Sequence, residues 1–367
     1  MANPSRGGGA KPGASLGEAA QLPKGTKMHQ PETAPASRSR PSLLLIPVLL
    51  LIGLMAGPAS AQAAKTTYTG RAAVVQAQLL GLTPVVLADT GYLPSSGGAQ
   101  EASLLSASVP GLLTANVLHA STVGQGNQTR SEASVADLDL TAAGNHVTAE
   151  FLMARATAKC GPGGASFSGS SDVAVLTING QRIAVTGEPN QTVALPGGGK
   201  VVINEQTSDG GITVNALHVV VPGVADVVIS SAQAGVNCAS PPPCSKSKDF
   251  VTGGGWITTP SGGRGTFGVA GGIKNEAFWG HLTYIDHGTK MKVHGTAVTA
   301  YTVVDQTTRR IDGQAEINGM AGTYSVTVRD AGEPGRQDTF DLKLSNGYQA
   351  SGTLNGGNIQ LHKAKAC

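Results

Sequence analysis

The sequence predicts an all-β protein: two antiparallel β domains behind an N-terminal signal segment, the first sandwich-like, the second a meander closed as a sandwich or barrel. Three observations carry this reading. Asn-Gly pairs stand at 179–180, 318–319 and 346–347 between apolar-polar runs. Such pairs are the strongest short-range hairpin signal, because both residues accept the left-handed backbone of a two-residue turn. The runs have period two: Tyr324, Val326 and Val328 alternate with Ser325, Thr327 and Arg329, and Phe340, Leu342 and Leu344 with Asp341, Lys343 and Ser345. One face is then buried and the other wet, as in an antiparallel meander. No segment after the leader sustains the 3.6-residue period of a helix.

The hairpins are placed by these pairs. Val173–Ile178 and Gln181–Val185 flank the first, Ala315–Ile317 and Tyr324–Val328 the second across a longer connection, and Asp338–Leu344 and Tyr348–Ser351 the third. Ile212–Val221 and Asp226–Ile229 are apolar on both faces, which suits the middle of a sandwich. Serine-rich Gly164–Ser171 reads as a loop. Thr114–His119 echoes Thr213–His218, and each is followed by an alanine-rich run ending in cysteine, at Cys160 and Cys238.

Composition sets the compartment. Of 367 residues 51 are glycine, 13% are charged, 4% aromatic and 40% hydrophobic. The hydrophobic content builds cores and excludes general disorder. Residues 1–61 read as a leader and signal peptide. Six Lys/Arg face two Glu in 1–42, then comes the apolar core 43–56, then Gly57-Pro-Ala-Ser-Ala61. A basic region, a short apolar run and a small-x-small exit predict cleavage between Ala61 and Gln62. The run holds 14 residues with Pro47 and Gly53 inside it, short of the ~20 a spanning helix needs; a retained membrane anchor is the alternative. Met28 is a second candidate initiator. Without 1–61 the balance becomes 20 basic against 21 acidic residues, so nothing points to nucleic acid, which selects a dense basic face.

Four cysteines, Cys160, Cys238, Cys244 and Cys367, read as two disulfides in an exported chain. The stiff Pro-Pro-Pro spacer disfavours Cys238–Cys244; of the three pairings, Cys160–Cys238 with Cys244–Cys367 leads because it closes each half of the chain separately. Ala239–Lys248 is the expected linker between domains at 62–238 and 249–367. Residues 62–240 hold 7 basic and 11 acidic residues, and 241–367 hold 13 and 10 with ten of the 14 aromatics.

At Gly70–Val75, Leu87–Gly91, Leu93–Ala102, Ser131–Leu138 and Val202–Gln206 the chain resembles the choice-of-anchor family of secreted bacterial proteins, closest to its P type. Asp249–Ile257, Gly280–His287, Arg309–Gly313, Gly332–Gly335 and Gly356–His362 resemble the small domain that often follows it. The resemblance implies export, a surface or secreted location and a non-enzymatic role, with no catalytic residues or cofactor to carry over. The ending Leu361–Cys367 has no sorting motif, so a C-terminal covalent anchor is not expected.

Candidate chemistry is sparse. His281 and His287 with Asp286, near His294, offer a loose metal set in which two histidines share a strand face. The turn Asp330–Asp338 is rich in oxygen ligands and offers calcium; its bland reading is a polar bend at Pro334-Gly335 in which Arg336 pairs with an acid. Trp256, Trp279, Tyr284 and Tyr301 offer an aromatic platform for sugar rings, though aromatics in a small β domain usually build core. No Gly-x-Ser-x-Gly elbow is expected on this fold, Gly197-Gly-Gly-Lys200 lacks the rest of a phosphate loop, and His119 and His218 read as structural. The expected function is recognition of an extracellular or envelope ligand, polysaccharide included. A secreted hydrolase and a tethered surface protein are the alternatives.

Overall fold

The computed structural model describes residues 65–239 and 248–363; the signal segment, Ala61, Gln62, Cys244 and Cys367 lie outside them. Among the described residues there are twenty-two strands and no helix. In chain order they are β1 (Thr67–Leu79), β2 (Val85–Asp89), β3 (Gly98–Val109), β4 (Leu113–Gln125), β5 (Gln128–Ala142), β6 (Asn145–Gly161), β7 (Gly164–Ala174), β8 (Thr177–Ile178), β9 (Gln181–Arg182), β10 (Gln191–Ala194) and β11 (Lys200–Thr207). They continue as β12 (Ile212–Val221), β13 (Ala225–Asn237), β14 (Phe250–Thr258), β15 (Arg264–Lys274), β16 (Ala277–Asp286), β17 (Lys292–Val303), β18 (Thr308–Ile317), β19 (Met320–Arg329), β20 (Thr339–Leu344), β21 (Gln349–Thr353) and β22 (Gly356–His362).

The first segment builds two sheets. One runs β10-β11-β12-β13-β1-β2; the other runs β3-β4-β5-β6-β8-β9, with β7 also on β6. Their facing sides share one core of Ala, Val, Leu and Ile side chains. Many of these are small, such as Ala133, Ala154, Ala156, Ala232 and Ala234, which lets the two backbones approach. At one end the approach is close enough for hydroxyls to cross between sheets: Thr129 Oγ1 donates to the Gly235 carbonyl at 2.7 Å and Ser131 Oγ to that of Gln233 at 2.6 Å. Cys160 on β6 and Cys238 just after β13 form the expected disulfide, with Cα atoms 5.7 Å apart. The two alanine-rich runs are therefore facing strands stapled at their ends.

The second segment builds one sheet of nine strands, β14 to β21 in sequence with β22 returning to pair with β14. It curls into a half barrel, bringing β21 back toward β14: a Cβ on Gly352 would lie 3.4 Å from Ile257 Cβ. Register shifts at Gly295/Ala297 and Val298/Ala300 on β17 help it bend. Phe267 and Phe340 stack inside at 4.0 Å, and Tyr284 lies 5.9 Å from Phe340.

Three local expectations change. Gly164–Ser171 is not a loop but most of β7, a largely exposed strand on β6; serine and glycine are poor strand formers, and pairing overrides them. The Asn318-Gly319 connection is a two-residue turn, with Ile317 paired to Met320 and φ of 49° and 80°, since β19 begins earlier than Tyr324. The strands around Asn179-Gly180 shrink to two residues each, β8 and β9.

Both segments lie in one compact unit, with β14, β15 and β16 packed on β3, β4 and β5. The seven-stranded sheet is thus covered on both faces near its centre, and β4 is buried without alternation from Val117 through Gly124.

Candidate functional site

The seam between the segments starts from glycine. A Cβ at Gly268 would lie 2.8 Å from His119 Cβ and 3.0 Å from Thr283 Oγ1, and one at Gly254 would collide with Ser134 Oγ. Gly254 and Gly268 therefore let β14 and β15 lie directly on β5 and β4, a use of strand glycine for close backbone approach.

Into this contact the chain brings titratable side chains in pairs. His119 Nδ1 and His281 Nε2 share a 3.1 Å hydrogen bond, and His281 Nδ1 lies 2.5 Å from Glu101 Oε2. Burial, and then the nearby His281, push the His119 pKa well below the ordinary histidine value, so His119 is neutral. Arg264 donates to Asp137 and, at 2.7 Å, to Glu150 Oε2. His287 bridges Asp137 at 2.7 Å and Thr266 Oγ1 at 2.8 Å. Burial raises the Asp137 pKa, but hydrogen bonding to His287 and the charges of His287 and Arg264 outweigh it and hold the carboxyl low. Arg130 pairs with Glu132 at 3.0 Å and with Glu333, while Asn358 Nδ2 donates to Glu132 at 3.0 Å. These carboxylates are committed to cations and amides across the seam.

At one end the seam opens into a pocket of ≈ 190 Å³. Buried Phe250 and Tyr68, half-buried Trp279 and exposed Ile273 form its apolar side; exposed Lys248 and Lys274 supply its charge. Phe250 and Trp279 stand 5.6 Å apart at 56°, packed over Gly272, where a Cβ would collide with Phe250 and lie 3.2 Å from Trp279 Nε1. Tyr68 is fixed by its hydroxyl, which donates to the Gly126 carbonyl at 2.7 Å. The start of β14 is fixed from behind. Arg309 donates to both oxygens of Asp249 at 2.7 Å, and Tyr301 to one of them at 2.6 Å. Burial raises the Asp249 pKa, but these donors prevail and keep it low.

The four aromatics expected to form a platform do not share a surface. Trp279 lines the pocket. Tyr284 is wholly buried, its hydroxyl 2.7 Å from that of Tyr348, because its position on β16 faces the barrel interior. Tyr301 is engaged with Asp249. Trp256 pairs with Thr266 at the far end of β14 from Phe250 and packs on Gly356.

The loose metal set also separates: His281 and His287 turn to different acids of the first segment, and Asp286 accepts from Tyr348 at 2.8 Å and from the amides of Gly288 and Thr289. His294 is exposed on β17. In the turn expected to offer calcium, Asp330 accepts from Gly332 and Leu361 amides, and Asp338 from Ala331 and Ile359 amides at 2.8 Å. These carboxylates tie the loop to β22. Asp338 is fully buried, which pushes its pKa up to about 6 against its two amide donors. The cation on Glu333 is Arg130 rather than Arg336. Among the described residues no group of three or more His, Cys, Asp or Glu is arranged to hold a metal ion, and no helix is long and apolar enough to cross a membrane. His218 is not packed inside its strand: it bonds Glu205 at 2.8 Å and Asp226 at 3.0 Å.

Fold and site together define a layered all-β protein with an aromatic, lysine-bearing pocket at an inter-sheet seam. No protein-family model and no curated protein matches the chain. Among solved structures it has a likeness to an AttH protein of Nitrosomonas europaea, at 9% identity over 81% of this chain and 92% of that one, with a TM-score of 0.18. A second likeness is to the vaccine antigen transferrin-binding protein B of Haemophilus parasuis, at 11% identity over 83% and 78%, with a TM-score of 0.16.

Proposed function

We propose that this is an exported bacterial protein, secreted or held at the cell surface, that recognises a ligand and does not turn it over. The choice-of-anchor resemblance and the signal-like leader support export, and the Cys160–Cys238 disulfide fits an oxidising compartment. The observation that carries the recognition reading is the seam pocket, where Phe250, Trp279 and Tyr68 converge. Concave sites with aromatic walls and a few placed polar groups are where ligands bind. The seam's carboxylates and histidines, by contrast, make ion pairs and hydrogen bonds between the two layers.

The two tryptophans make this testable. In a Trp256→Phe variant the emission comes from Trp279 alone. Titration with a panel of sugars and small organic acids is expected to give saturable changes with at least one class, lost in Phe250→Ala. A silent Trp279, together with hydrolysis of ester or glycoside probes by the same preparation, overturns the reading in favour of a hydrolase.

A further inference from the structure

Resting on that recognition reading, we propose that the seam pocket takes a single pyranose-sized ring bearing a carboxylate, that is, a uronic acid unit of an acidic polysaccharide. Size is the first argument. The cavity, ≈ 190 Å³, is below the ~300–1,000 Å³ of sites for drug-sized ligands, so one ring enters and the rest of a chain stays outside. Shape is the second. Phe250 and Trp279 meet at 56°, so the bound ring packs against one face and one edge rather than sliding between two parallel plates. A saccharide, with C–H groups on its faces and hydroxyls at its rim, fits an apolar corner whose mouth is polar.

Charge is the third. Among the described residues Lys248 and Lys274 are the charged residues that line the pocket, and neither Asp nor Glu does. The nearest acid in sequence, Asp249, has both oxygens bound by Arg309, so its charge is matched on the barrel side. Lys274 Nζ donates to the Ala99 carbonyl at 3.3 Å, which holds its exposed ammonium at the pocket rim. Two ammonium groups without a carboxylate between them select an anion and reject a cation. Ser96 and Gln125, also lining the pocket, supply hydrogen-bonding groups for the hydroxyls.

The test uses the mature protein carrying Trp256→Phe, read by Trp279 emission and by calorimetry. The probes are oligogalacturonate, the neutral oligogalactose and benzoate. Oligogalacturonate is expected to bind at least about tenfold tighter than oligogalactose, a margin typical of a matched charge pair. Raising salt should narrow that margin. Lys248→Gln and Lys274→Gln should each weaken it about fivefold or more with thermal stability unchanged, since both side chains are exposed. Equal binding of the acidic and neutral sugars leaves the recognition reading in place and overturns the charge assignment. Tighter binding of benzoate overturns the saccharide. Uronate binding that Lys248→Gln, Lys274→Gln and Trp279→Ala all leave intact places the ligand elsewhere. Silence from every probe in a folded protein overturns this inference, while the wider panel above decides the recognition reading separately.

Discussion

The imidazole of His362 lies flat on the ring of Phe250, centroids 4.4 Å apart and planes within 15°. One side of Phe250 thus walls the seam pocket while the other is held by the last strand, β22. His362 is buried, and its Nε2 lies 3.1 Å from Thr252 Oγ1. Burial, then the charge of Arg130, push its pKa down to about 3, with Asp249 opposing. In the unfolded chain the same group takes a proton near pH 6.5. From pH 6.5 down to about 3 the unfolded state therefore binds more protons, and stability that is fully present above 6.5 is lost as pH falls. The loss is about 1.4 kcal/mol per pH unit over that window for such a group. His119 acts in the same direction. Urea midpoints measured from pH 7 to 4 should fall, and His362→Phe, which keeps a stacking ring without a proton site, should make the slope shallower by that amount. An unchanged slope overturns the account.

The close approach of the layers at His119 yields a second expectation. Gly268→Ala inserts a methyl 2.8 Å from His119 Cβ. Overpacking of this kind costs roughly 1–3 kcal/mol. Gly163→Ala, whose added Cβ meets nothing within 4 Å, should leave the denaturation midpoint unchanged. Equal midpoints for the two variants would mean that the seam is not packed as described.

The Cys160–Cys238 disulfide spans 78 residues and joins the two sheets of the first sandwich. Its removal in a Cys160→Ala/Cys238→Ala variant frees the unfolded chain, and the chain-entropy model puts the loss of stability at about 4 kcal/mol. The guanidinium denaturation midpoint of the double variant, compared with the parent under non-reducing conditions, checks this. A shift equivalent to less than about 1 kcal/mol would mean that hydroxyl stitching at Thr129 and Ser131 already holds the sheets.

The all-β class and the 324–328 and 340–344 strands were legible because each rests on local pattern, period two and Asn-Gly turns; the Cys160–Cys238 pairing followed from a stiff spacer that disfavours Cys238–Cys244 and from closing each half of the chain separately. The site was less so. Trp279 could be singled out as an aromatic, but its partners Tyr68 and Phe250 come from strands nearly 200 residues apart, and no spacing relates them. The seam left one readable trace, glycine inside strands β14 and β15, of which Gly254 and Gly268 face the first segment and Gly272 underlies the pocket, since strand glycine marks close backbone approach. For Tyr284 and Tyr301, period two gives two faces without saying which one a curled sheet turns inward.

Arg309 links the barrel interior to the pocket and carries the last prediction. It is 3% exposed and holds both oxygens of Asp249, the residue between pocket-lining Lys248 and Phe250. Its Nη1 donates to the carbonyls of Asp305 and Thr308 at 2.7 and 2.9 Å. Lysine keeps the charge but not the planar fork. Arg309→Lys should therefore lower stability by about 1–3 kcal/mol and loosen the start of β14. Asp249→Asn should cost less, because one oxygen still accepts. A double-mutant cycle separates the pair from its surroundings: if the bidentate contact fixes β14, Arg309→Lys and Asp249→Asn couple by more than about 1 kcal/mol. In the Trp256→Phe background, Trp279 emission should shift to the red in Arg309→Lys as Phe250 loses its fixed position and water reaches the indole. Additive effects with an unmoved emission maximum would show that Asp249 and Arg309 stabilise the barrel without positioning the pocket.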